Sequence, residues 1–198
     1  MIALLDALGA TVVGAMFMLT ILTSTFNIQA MSANYQRKIQ LVDQTERITS
    51  IIDYYYLSAA GAGLSSTAAV ISEATATSLV FRGELDGTMS TIALQRDAFD
   101  TAKQAYPLVV RLNGSNNYGP FWVTDSNDGT LAGMNIAYFD ESENSISYSD
   151  LTSQVHRNRI RMVRIEMELF YETYRRDLRA IDLKHQITFW KYFTNLYL

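Results

Sequence analysis

The first part of the chain is an uninterrupted run of apolar positions. Between Ile2 and Ile28 the one charged residue is Asp6, and Ala7–Ile28 is an uncharged run of 22 residues. At ~1.5 Å per residue, a helix of this length reaches about 33 Å and exceeds a hydrocarbon core of ~30 Å. The pattern predicts a membrane-spanning helix. The alternative is a buried core helix of a soluble protein.

A cleaved secretory signal fits this segment poorly. Such a signal has a basic start, a short apolar stretch of about 7–15 residues and a small-residue cleavage site. No Lys or Arg precedes Arg37, and the apolar run is longer than that range. We therefore expect the helix to be retained.

After Ile28 the chain becomes polar but keeps helical spacing. No Gly or Pro occurs between Asn27 and Ser58, so one helix is predicted from Ile2 to about Leu57, apolar first and amphipathic afterwards. The Ala and Gly residues at 59–63 end it. Its predicted apolar stripe consists of Ile28, Met31, Tyr35, Ile39, Val42, Ile48, Ile52 and Tyr55.

From Thr75 onward apolar residues alternate with polar ones, as in strands. Asp86-Gly87 and Asn113-Gly114 are typical of tight hairpin turns. One segment, 163–171, fits a strand or a helix equally well. The predicted strands lie within 79–85, 89–94, 108–112, 121–123, 134–140 and 181–189.

These patterns predict an α+β fold. A long N-terminal helix, with a membrane half and an amphipathic half, packs on an antiparallel β-sheet. We divide the chain into a transmembrane and amphipathic helix at 1–57, a linker region at 58–74 and a sheet domain at 75–198.

Composition narrows the possible functions. The 198 residues are 48% hydrophobic, which excludes a disordered chain. The net charge of -4 and the pI of about 5.1 argue against nucleic acid as a partner, because phosphate binding favours a basic face. The absence of cysteine excludes disulfides, thiolate metal sites and cysteine nucleophiles.

Three residues of the helix are candidate assembly residues. Placing a carboxylate inside a membrane helix costs free energy, so Asp6 is a candidate functional residue. Alternatively, Asp6 lies at the membrane surface and caps the helix. Ala10 and Gly14 form a small-xxx-small pair, which lets another helix approach closely. Ordinary variation among membrane helices is the alternative explanation for this pair.

No catalytic constellation is visible elsewhere. Gly-x-Ser-x-Gly, a phosphate-binding glycine loop and His-Glu-x-x-His are all absent, so we expect no enzyme activity, cofactor or metal. Asp125–Gly129 is rich in oxygen ligands, with Asp140, Glu141 and Glu143 as further donors, but a hairpin turn explains it better than calcium binding. The arginines between Arg157 and Arg164 are likewise expected on a protein surface rather than against phosphate.

Several segments together resemble type IV pilin-like proteins, and more narrowly the minor pseudopilins of type II secretion and minor pilins. Ile2–Leu8 is similar to the mature pilin start, an apolar tetrapeptide followed by an acid. The remaining resemblance lies in Leu79–Thr88 with Ile92–Leu94, in Asn135–Asp140 and in Val163–Leu169. The last of these favours the strand interpretation of the ambiguous segment.

The resemblance implies a structural subunit that assembles with other pilin-like subunits through its apolar helix. With Ile2 as the first mature residue, Asp6 matches the family's fifth-position acid, usually Glu, which would pair with a neighbour's α-amino group. The expected location is single-pass in the membrane, with the C-terminal domain in the periplasm or at the cell surface, or in an extracellular filament. No basic leader ending in Gly precedes Ile2, so we expect either a mature form or insertion without that processing.

A different class of function stays open. Arg37 and Lys38 follow the apolar helix while no cation precedes it, and the positive-inside rule would place the C-terminal side in the cytoplasm. The alternative function is a single-pass, membrane-anchored binding domain that does not form filaments.

Overall fold

The computed structural model describes residues 2–65, 69–103, 105–124, 133–171 and 183–197. The chain divides into two compact units, Met1–Gln40 and Leu41–Leu198. The first is helical throughout its described residues, and the second contains the sheet.

The predicted long helix is confirmed. Helix α1 spans Ile2–Ser50, and a π-helical turn at Ile51–Tyr56 and a 3-10 turn at Leu57–Ala59 follow without a break. Gly61 then has a φ of 77°, a left-handed conformation that ends the helical run as the Ala and Gly cluster predicts.

In its described residues the second unit contains an antiparallel sheet of nine strands, which together with α1 makes the fold α+β. The strands are β1 Ile71–Ala74, β2 Ser78–Leu85, β3 Thr88–Arg96, β4 Ala105–Leu112, β5 Ser115–Thr124, β6 Met134–Phe139, β7 Ser145–Ile146, β8 Met162–Tyr171 and β9 Leu183–Tyr192. In space the order is β1-β2-β3-β4-β5-β8-β6-β7, and β9 pairs with β8. A four-residue helix, α2, spans Gln154–Arg157.

Both predicted hairpin turns are present. Asp86 and Gly87 join β2 to β3 with φ values of 51° and 75°, and Asn113 and Gly114 join β4 to β5 with 50° and 85°. Two successive positive φ values match the twist of the flanking strands, and Asp-Gly and Asn-Gly tolerate them best.

The ambiguous segment is a strand, β8, so its helical alternative is wrong. Val163, Ile165 and Met167 are buried, while Arg164 and Glu166 between them are partly exposed. Every residue from Met162 to Tyr171 is paired with β9. This alternation and pairing outweigh the helix propensity of the Glu-Met-Glu-Leu sequence.

Hydrogen bonds between β6 and the β1–β2 turn curl the sheet. The N–H of Ile136 donates to the C=O of Ala76 at 2.8 Å. The hydroxyl of Tyr138 donates to the C=O groups of Thr75 and Ser78 at 2.8 and 3.0 Å. Burial raises the pKa of Tyr138 well above its usual value, so the hydroxyl remains a donor.

The end of the helical run packs into the sheet core, with a buried face displaced from the predicted stripe. The sequence predicts Val42 and Tyr55 on this face, but the structure buries Leu41 and Tyr56 instead. Tyr56 lies four residues after Ile52 and shares its face, whereas the wider π-helical turn moves Tyr55, three residues after Ile52, away from that face. The buried face consists of Leu41, Thr45, Ile48, Ile52 and Tyr56.

A close backbone approach fixes the end of the helical run on β2. A side chain at Gly83 would overlap the Ala59 carbonyl oxygen. Around it, the N–H of Gly61 donates to the C=O of Arg82 at 3.0 Å, and the N–H of Glu84 donates to the C=O of Ala62 at 2.9 Å. Glycine is needed here because nothing larger fits between the two backbones.

Candidate assembly surface on the apolar helix

The apolar segment, defined as residues 7–28 of α1, is exposed at every position. Phe17 is 69% and Ile21 is 62% exposed, values expected of polar surface residues. Among the described residues, this helix is the one long and apolar enough to cross a membrane, and none of its most apolar window is buried. It is therefore not the core helix of this chain.

Threonine hydroxyls in the apolar segment are bonded within the helix. Thr20, Thr23 and Thr25 each donate to the carbonyl four residues earlier, at 2.8 to 2.9 Å. Thr11 donates to the carbonyls of Ala7 and Leu8, both at 2.9 Å. These hydroxyls need neither water nor a partner, so they do not oppose transfer of the helix into an apolar environment.

Asp6 lies inside α1 rather than at its N-cap, because the helix already includes Ile2. Its side chain is outside the described residues. The sequence-based expectation that Asp6 pairs with an amino group therefore stays a prediction.

Ala10 and Gly14 lie one helical turn apart on the same face, and both are exposed. A methyl group added at Gly14 would meet no atom within 4 Å. Among the described residues, this shallow face is therefore open. Small residues in this arrangement allow the closest approach of a second helix.

The stripe beyond the apolar segment is exposed as well. Met31 and Tyr35 are 72% and 67% exposed, and Ile39 is 44% exposed. Burial within the chain begins at Leu41, where the second unit starts. The amphipathic half predicted from sequence therefore has two parts: its apolar residues are exposed before Leu41, and from Leu41 onward one face is buried.

An ion pair that sequence reasoning missed ties the end of the helical run to the last strand. The ammonium of Lys191 lies 2.9 Å from an Asp53 carboxylate oxygen and donates to the Asp53 carbonyl at 3.1 Å and the Ser58 hydroxyl at 2.7 Å. A cation near a helix C-terminus meets the negative end of the helix dipole. The two residues are 138 positions apart, so no local signal could have joined them.

Asp140, one of the acids that the sequence raised for metal binding, has partners within the chain. Asp140 accepts hydrogen bonds from the N–H groups of Asn144 and Ser142, and these lower its pKa. Its other oxygen pairs with Arg159 at 3.2 Å. The segment 125–129 lies outside the described residues. Within the described part of the chain, no three His, Asp or Glu residues gather as metal ligands would.

The neighbouring arginines are likewise engaged. Arg157 donates to the carbonyls of Leu151 and Thr152 at 2.7 and 2.8 Å. Arg164 pairs with Glu166 at 2.9 Å and lies against the Trp190 ring. These contacts hold the start of β8 and the segment before it.

Comparison with known protein families, with curated proteins and with solved structures finds no match to this chain.

Proposed function

We propose that this chain is a structural subunit of a type IV pilin-like filament or pseudopilus, which assembles through its apolar N-terminal helix. The observation that carries the proposal is the exposure of the whole apolar segment, residues 7–28, beside a separately compact α+β unit. An apolar surface of this length must be covered by lipid or by other chains.

Assembly moves this surface from lipid to sister helices. Burial of apolar area stabilises by ~25 cal/mol per Å² relative to water, so a helix leaving the bilayer has to find an equally apolar environment. Ala10 and Gly14 offer the face on which a neighbouring helix comes closest. The internally bonded threonines leave little polar cost in either environment.

Asp6 sets the axial register in this proposal. Its carboxylate pairs with the α-amino group of a neighbouring subunit, which removes two uncompensated charges from an apolar surrounding. A subunit displaced along the axis would leave both charges unpaired, so one stagger is favoured over the others.

A second candidate is a membrane-anchored binding domain that forms no filament. Arg37 and Lys38 favour it, since they are the first cations after the apolar segment and favour a cytoplasmic C-terminal unit. A filament subunit requires that unit on the other side of the membrane.

One experiment separates the two candidates. The chain has no cysteine, so Ser142→Cys at an exposed turn gives a single label site. Cells making this full-length variant are treated with a membrane-impermeant maleimide before and after lysis, and surface material is sheared off and probed for the chain.

The filament proposal predicts labelling of intact cells, or of cells whose outer membrane has been permeabilised, and recovery of the chain in sheared fibres. Labelling only after lysis, with all of the chain left in the membrane fraction, would overturn it and support the anchored domain.

A further inference from the structure

The last strand leaves a long edge of the sheet open. Strand β9, Leu183–Tyr192, pairs along its full length with β8. Within the described residues, its other edge meets no strand. An open edge of this kind carries a row of backbone donors and acceptors that can accept another strand.

The other two terminal strands of the sheet are short, whereas β9 is long and regular. Strand β1 has four residues and a register shift, and β7 has two. Strand β9 has ten residues and neither proline nor register shift. Edge strands are usually protected by being short, by a bulge or by a proline. Of these three strands, β9 is the one that has none of these features.

The lysines of β9 give little protection either. Lys191 is turned inward to Asp53 at 2.9 Å. Lys184 lies 3.8 Å from Glu168 on the neighbouring strand. Because Asp53 and Glu168 partly neutralise these two lysines, the lysines repel an incoming strand less than unpaired lysines would.

The hydrogen-bond register shows which residues serve the open edge. The N–H of Phe193 donates to the C=O of Arg161, and antiparallel ladders alternate residue by residue. Odd-numbered residues of β9 therefore bond to β8, and even-numbered residues direct their N–H and C=O groups to the open edge. The five even-numbered residues, all with exposed side chains, are Lys184, Gln186, Thr188, Trp190 and Tyr192.

The exposed side chains include two large aromatic residues. Trp190 is 50% and Tyr192 is 42% exposed, and Trp190 also lies against Phe139 with ring centroids 5.1 Å apart. Exposed Trp and Tyr on a firm sheet are typical anchors of protein interfaces. On the opposite face Ile187 and Phe189 are only partly buried against the core.

We propose that β9 pairs with β9 of a second copy of this chain, antiparallel and about a two-fold axis through Thr188. Residues opposite each other then have numbers that add up to 376, and the even-numbered residues form the hydrogen-bonded pairs. The opposed pairs are Thr188 with Thr188, Gln186 with Trp190, Lys184 with Tyr192, Ile187 with Phe189, and His185 with Lys191.

The self-complementarity of this register identifies the occupant as a second copy. Lys184 meets the ring of Tyr192, a favourable cation–π pair. Ile187 meets Phe189, and the threonines meet each other, which are both favoured cross-strand pairs. Lys191, opposite His185, remains neutralised by Asp53. The three favourable pairs follow from one axis and use only residues of β9 itself.

This contact is separate from the helix packing of the proposed function. A two-fold contact joins identical patches and closes on itself, whereas a filament needs head-to-tail contacts. Pairing at β9 therefore links the sheet units of two chains and does not depend on whether filaments form.

The test uses disulfide formation between full-length chains in membranes of the producing cells. Thr188→Cys places a cysteine on the axis, where facing Cα atoms lie about 5.5 Å apart, within disulfide range. The matched control is Gln186→Cys on the same strand and face. Its counterpart in the partner lies four residues further along, about 13 Å away at ~3.4 Å per residue, beyond disulfide range.

Mild oxidation should convert Thr188→Cys to covalent dimers at least about tenfold faster than Gln186→Cys. Equal rates for both variants, or no dimer from Thr188→Cys, would overturn the proposal. Capture of a different protein at residue 188 without dimer would also overturn it.

A second pair of variants tests the same register without cysteine. Thr188→Lys puts two like charges opposite each other on the axis and should weaken dimers of the detergent-solubilised chain about tenfold or more. Gln186→Lys places its charge opposite Trp190 and should leave dimerisation within about twofold of wild type. Both positions are exposed, and circular dichroism verifies that both variants fold. Equal effects of the two lysines would contradict the register.

Discussion

One helical run lies in two different surroundings in this protein. From residue 7 to Ile39 its large apolar side chains are exposed, whereas from Leu41 onward one face is buried in the sheet core. Both regions are helical, so local propensity does not distinguish them. The difference is that the second region is packed against the sheet of the same compact unit, whereas we propose that lipid or other chains cover the first.

The strongest test of this contrast is an identical truncation in each region. Ile52→Ala removes a fully buried side chain and should lower the free energy of unfolding by about 2–5 kcal/mol. Ile21→Ala removes a 62% exposed side chain and should change it by less than about 0.5 kcal/mol. Denaturant titration of the full chain in detergent, followed by tryptophan fluorescence, gives both values. Comparable losses would mean that residue 21 is packed within its own chain.

The same contrast applies to glycine. Gly83→Ala would force a methyl group into the Ala59 carbonyl and should destabilise the protein by about 1–3 kcal/mol. Gly14→Ala meets open space and should stabilise α1 by up to about 1 kcal/mol, because alanine favours helix more than glycine does. Thermal unfolding of the two variants is the measurement. A tolerated Gly83→Ala would show that the backbones at Ala59 and β2 are not in contact.

The ion pair at the end of the helical run has an expected effect similar to that of Gly83. Lys191→Met removes a cation with three oxygen partners and should lower unfolding free energy by about 1.5–3 kcal/mol. Lys184→Met removes a more exposed pair at 3.8 Å and should cost less than about 1 kcal/mol. Denaturant midpoints of the two variants compare them. An equal loss of unfolding free energy in the two variants would show that the contact between Lys191 and Asp53 stabilises the protein no more than an exposed ion pair does.

Replacing Asp6 should have the smallest effect on the free energy of unfolding and the largest effect on assembly. Asp6→Ala should leave the unfolding free energy within about 0.5 kcal/mol, since residue 6 belongs to Met1–Gln40 and not to the compact unit that contains the sheet. It should nevertheless block incorporation into sheared fibres, measured by immunoblot. Asp43→Ala, an exposed acid further along α1, is the control and should assemble normally. Normal fibre yield from Asp6→Ala would remove Asp6 from the assembly mechanism.

Features set by neighbouring residues were predictable from sequence. The uncharged run predicts a continuous helix, and the Asp86-Gly87 and Asn113-Gly114 pairs predict hairpins because few other residues tolerate their backbone angles. The need for glycine at position 83, by contrast, is not predictable from neighbouring residues, because it arises from the contact between β2 and the Ala59 carbonyl.

The buried face of the helix illustrates a different limit. Thr45 reads as polar, yet its hydroxyl donates to the Leu41 carbonyl at 2.7 Å and can be buried without cost to its hydrogen bonding. Tyr56, four residues after Ile52, lies in the core, whereas Tyr55 is 41% exposed. The buried positions 41, 45, 48, 52 and 56 have regular helical spacing, but a pattern that counts threonine as polar breaks at Thr45 and so misses this face.

The candidate sites divide in the same way. Ala10 and Gly14 were predictable as an open helix face because small residues four apart share a face by helix geometry alone. The open edge of β9 was not, because the exposed edge of a strand depends on the order of strands in space. The alternating pattern of β9 predicts a strand, and its pairing with β8 leaves open whether a further strand lies along its other edge.

The central claim is that the apolar segment is covered by lipid or by sister chains and never by its own. Analytical ultracentrifugation of the purified full-length chain after detergent removal tests this directly. Transfer into added lipid vesicles, or formation of large polymers in their absence, is the predicted result. A stable, water-soluble monomer of 22.3 kDa would contradict the account.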